Sequence, residues 1–196
     1  VGTKNPDVRI DQEKHCAVCH SRDGIHWFDH RLILSPPPDQ GEFEDWEPPD
    51  PDPAREGIDW IREETGYICH PLAVRGRELG MAIHRAAKAA SLLNVDLETP
   101  GIAAVNELMS ETMAMSGKLA GALGGVARGI PSPPGMIIAE LKRAMDRLRR
   151  ALNAIPSAER VETFRPQLQA FRTELFEIRE GIIRVIEESR RQLSDH

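Results

Sequence analysis

Aromatic residues make up only 5% of this 196-residue chain, with a single tyrosine among them. Any core must therefore be aliphatic and rich in Ala and Met, and an apolar content of 40% is enough to build one domain of ordinary size. No apolar run reaches 18 residues, so no membrane-spanning helix is expected. Positive charge is also short: 25 Lys and Arg against 31 Asp and Glu leave a net charge of −6. That balance speaks against a nucleic-acid surface, which needs clustered cations to neutralise phosphates. The one basic cluster, Arg147, Arg149 and Arg150, stands among acidic neighbours and reads as a solvated helix face. Cysteine is scarce too. Three cannot all pair internally, and two of them lie too close together for an ordinary structural bridge. The sequence contains no Ser/His/Asp arrangement, no phosphate-cradling glycine loop and no paired carboxylates in an apolar setting, so a binding protein is expected before an enzyme. Its opening, Val1-Gly2-Thr3-Lys4-Asn5-Pro6, fits either a mature exported end or a cytosolic chain without its Met.

What is present divides near residue 72, giving an irregular arm over residues 1–71 and a helical region over residues 72–196. The arm carries Ser35-Pro36-Pro37-Pro38-Asp39 and Pro48-Pro49-Asp50-Pro51-Asp52-Pro53, which exclude a regular helix or a central strand because proline lacks the amide donor and fixes φ. It should run extended over a surface, with Phe43, Trp46 and Trp60 as anchors. The acidic tract from Glu42 to Glu56 reads as solvated, or as a docking strip for a basic redox partner.

Beyond residue 72, apolar residues recur at spacings of three and four. Leu79, Ile83, Ala86, Ala90 and Leu93 form one stripe, and Val105, Met109, Thr112, Leu119, Leu123 and Val126 a weaker second. Ile138, Leu141, Met145, Leu148, Leu152 and Ile155 form a third, introduced by Pro133-Pro134. The clearest runs from Val161 and Phe164 through Leu168, Phe171, Leu175, Ile178, Ile182 and Val185, with Pro166 marking where a continuous helix starts. Breaks are expected at Asn94 to Gly101, Gly129 to Pro134 and Asn153 to Ser157. Such short connections predict a mainly α protein, an up-and-down bundle of about four helices. Gly117, Gly121, Gly125 and Gly129 recur every fourth residue, which predicts a close helix crossing or, alternatively, a cofactor-facing groove. Met109, Met113 and Met115 are expected to fill the core. His84 beside the first stripe reads as a boundary histidine, since no Glu stands three before it to make a di-iron motif.

The residues that carry chemistry cluster at His15-Cys16-Ala17-Val18-Cys19-His20 and on through His26 and His30. A smaller knot, Gly66-Tyr67-Ile68-Cys69-His70, holds the third cysteine. Cys16-x-x-Cys19-His20 has the spacing at which two thiols reach the two vinyl groups of a haem while the adjacent histidine falls beneath the iron. The nine residues Cys-Ala-Val-Cys-His-Ser-Arg-Asp-Gly resemble the haem-attachment segment of c-type cytochromes. That resemblance implies haem c as cofactor, an exported or periplasmic protein, and electron transfer or sensing with a redox partner or larger complex. Cys69-His70 then reads as the same motif with its first cysteine replaced. The sixth ligand would come from His26, His30, His70, His84 or Met81.

Zinc is the alternative. Cys16 and Cys19 form a thiolate knuckle that His26 and His30, four apart, complete if they share a helical turn. Cys69 with His20, His26 or His70 would complete it differently and tie the arm to the first helix. Such a staple would make the chain a cytoplasmic structural or adaptor protein whose bundle mediates association with a protein partner or with its own copy. A degenerate HNH nuclease is a remote variant, because its Asn and second knuckle are missing.

Overall fold

A computed structural model describes residues 50–93 and 99–194. The readings that rest on Cys16, Cys19, His20, His26, His30, Phe43 and Trp46 lie outside the described residues. The fold is the expected mainly α bundle of four helices: α1 (Pro71–Ala89), α2 (Pro100–Ala127), α3 (Pro134–Ala158) and α4 (Arg165–Ser194). Ahead of them come a 3-10 turn at Pro53–Arg55 and a short antiparallel hairpin, β1 (Ile61–Arg62) with β2 (Ile68–Cys69), in which Ile61 pairs with Cys69 and Arg62 with Ile68. The compact unit holding the bundle begins at Pro48, so the hairpin segment groups with the helices, although helical structure itself starts at Pro71. Among the described residues, no helix is long and apolar enough to cross a membrane.

Proline opens α1, α2 and α3, where its missing amide costs nothing and its fixed φ suits the first turn. The core is aliphatic as expected. Ile83, Leu108, Met115, Leu119, Leu123, Leu141, Leu148, Leu175, Ile178 and Ile182 are all fully buried. Phe164 and Phe171 add an aromatic pair with ring centroids 5.9 Å apart. Of the three methionines expected inside, Met115 is buried, Met109 packs partly against the core and Met113 is exposed. The cluster at Arg147, Arg149 and Arg150 is paired, Arg147 and Arg150 with Glu111 of α2 and Arg149 with Asp146.

Helix ends explain two departures from the expected breaks. Residues at the end of α1 wrap into a Schellman turn, Leu92 N–H to Ala87 O at 2.9 Å and Ser91 N–H to Lys88 O at 3.0 Å, with Ser91 at φ 56°. The break therefore falls before Asn94, hidden because a serine holds the position that glycine usually marks. At the other departure, α3 runs on to Ala158 with Pro156 inside its last turn. One missing hydrogen bond there is outweighed by burial of Ile155 and Ala158.

The glycine stripe is the larger correction. Among the described residues, a Cβ added at Gly117 or Gly121 would meet nothing within 4 Å, so none of the described helices crosses closely there. The close approaches are made elsewhere. A Cβ at Gly76 would lie 3.0 Å from Leu119, at Gly80 2.6 Å from Met113, and at Gly181 2.6 Å from Leu72. Glycines of α1 thus seat α2, and a glycine of α4 seats α1. Gly129 (φ 67°) closes α2 in a second Schellman turn, with Ile130 N–H to Gly125 O at 2.9 Å and Gly129 N–H to Val126 O at 3.1 Å.

Candidate functional site

Cys69 and His70 are the members of the Cys/His set that lie within the described residues, and both sit where the hairpin feeds α1. The hairpin reverses at Glu63–Gly66, closed by Gly66 N–H to Glu63 O at 2.8 Å, with Gly66 at φ 84° supplying a conformation other residues resist. This turn brings Glu63 back over the strand carrying Cys69. The Cys69 thiol lies 3.8 Å from Glu63 Oε2, within reach as a weak donor, and Arg77 of α1 forms an ion pair with the same carboxylate. Burial first, and then the Glu63 charge, push the Cys69 thiol above its ordinary value. Arg77 in turn holds the Glu63 carboxyl below its ordinary value. Burial and the Glu63 charge thus both favour the protonated thiol over the thiolate.

His70 has a different task. Its Nδ1 accepts the Leu72 N–H at 3.1 Å, while its backbone carbonyl accepts from Ala73 and Val74 at 3.0 and 3.1 Å. With Pro71 contributing no amide, one residue satisfies the N-terminal donors of α1. The residue is 6% exposed, and burial lowers its pKa to about 4, against the raising influence of Asp59 and Glu188. A neutral imidazole that accepts at Nδ1 carries its hydrogen on Nε2, so in this arrangement neither nitrogen offers a free lone pair to a metal.

The surroundings of His70 are mixed. A cleft of about 460 Å³ beside it is lined by the charged Asp59, Arg75, Arg184 and Glu188 together with the apolar Ile58, Leu72 and Val185. Arg55 bridges the two carboxylates, donating to Asp59 at 2.6 and 2.8 Å and to Glu188 at 3.1 Å. Trp60 is buried and donates through Nε1 to the Asp52 carbonyl at 2.9 Å, a bond within the arm segment itself. Along the same helix, Met81 is 42% exposed and Arg85 lies one turn further on, both lining an open groove of about 950 Å³ between α1 and α4. His84 is half-buried. Among the described residues, no three His, Cys, Asp or Glu side chains gather closely enough to hold a metal ion.

Sequence reasoning paired Cys69 with His70 because they are adjacent and missed their actual partners. Glu63 is signalled only by the turn glycine that folds it back. Arg55 and Asp59 carry the i,i+4 spacing of an ion pair, but Glu188 is distant in sequence and leaves no local trace. No family model matches the chain, and neither a curated protein nor a solved structure matches it.

Proposed function

We propose that the chain is a small c-type haem protein for electron transfer or sensing, with one haem on Cys16 and Cys19 and His20 as its axial ligand. The observation that carries this reading is the spacing Cys16-x-x-Cys19-His20 followed by Ser21-Arg22-Asp23-Gly24. If haem is held there, Cys16 and Cys19 would each be joined to it by a thioether, the S–H adding across a vinyl group with nothing released. Two features of the described residues support one haem rather than two: Cys69 is held as a hydrogen-bonded thiol, and His70 is spent on capping α1. The core of the bundle is built from aliphatic side chains of all four helices. The acidic tract would face a basic redox partner.

The test is a visible spectrum, oxidised and dithionite-reduced, with an intact mass, on full-length protein from its native host. A Soret band with sharp reduced α and β bands and the added mass of one haem is the expected result. Replacing Cys16 and Cys19 by Ser should abolish both. An unmodified mass and a colourless protein would overturn the proposal.

The spacing of His26 and His30, four apart after the Cys16/Cys19 knuckle, favours a second reading, a zinc-stapled adaptor whose bundle mediates protein association. The version that recruits Cys69 is the weaker one, because that thiol is engaged with Glu63. One zinc per colourless chain, lost with its staple in the Cys16→Ser variant, is the outcome this reading expects.

A further inference from the structure

We draw no further inference here: the strongest candidate, the open groove between α1 and α4 floored by Leu79 and Phe171 and edged by Met81 and Arg85, carries nothing because its other arginines, Arg75 and Arg77, are already paired with Glu174, Glu177 and Glu63 and nothing in the structure shows what covers it.

Discussion

The bundle and the hairpin segment ahead of it are held by different forces. In the bundle, fully buried aliphatic side chains dominate, and the buried Thr112 hydroxyl of α2 donates to the Leu108 carbonyl of its own helix at 2.7 Å. In the segment from Asp52 to His70, Trp60 is the one buried large apolar side chain, and hydrogen bonds and ion pairs stand beside it: Arg55 to Asp59 and Glu188, Arg77 to Glu63, His70 to Leu72. Non-directional burial tolerates solvent conditions and punishes lost volume, whereas a polar joint tolerates lost volume and answers to pH and salt.

The sharpest contrast should come from the core. Leu119→Ala deletes a fully buried side chain that also packs on Gly76, and it should cost about 2–5 kcal/mol in chemical denaturation. That loss should be the same at pH 5 and pH 8. A strongly pH-dependent loss would show the two regions to be less separate than their contacts suggest. Acid should act on the joint instead. The folded pKa of His70 lies below that of the unfolded chain, so its contribution is complete above about pH 6.5 and is lost as pH falls towards about 4. The full effect is up to about 3 kcal/mol, and His70→Asn, which keeps a capping acceptor without titrating, should flatten that part of the stability profile.

Two backbone substitutions should stabilise the bundle without touching the joint. Ser91→Gly relieves a left-handed residue at the end of α1, and Gly121→Ala fills open space within α2; each should add about 1 kcal/mol or less, read as a shift in denaturation midpoint. The smallest effect belongs to the exposed pair. Glu63→Gln should lower the denaturation midpoint slightly at low salt and leave it unchanged at high salt. It should also speed maleimide labelling of Cys69 by removing the charge that raises the thiol while leaving Arg77 beside it. Unchanged labelling would mean that burial alone protects the thiol.

The same division governs what could be read from sequence. Periodic burial was legible: Leu141, Leu148, Leu175 and Ile178 all sit in the core where their stripes placed them. Proline at the first turn of three helices was legible in the same local way. Glycine was ambiguous, because its spacing on α2 states that a face is smooth without saying what lies opposite, and the crossings went to Gly76, Gly80 and Gly181 instead. Long-range polar partners were not legible at all. Nothing local to His70 announces a capping role, which normally falls to Ser, Thr, Asp or Asn. Nothing local to Glu188 announces Arg55.

Helix length has a mechanical corollary. At 1.5 Å per residue, α4 is about 45 Å long and α1 about 28 Å. Leu72 of α1 already sits against Gly181, so the last turns of α4 extend past the start of α1. Alongside that overhang runs Gly57 to Asp59, with Arg55 gripping Glu188, so a non-helical splint stands beside α4 beyond the start of α1. A tension applied at the C-terminus would meet ionic clasps before it met the aliphatic interior.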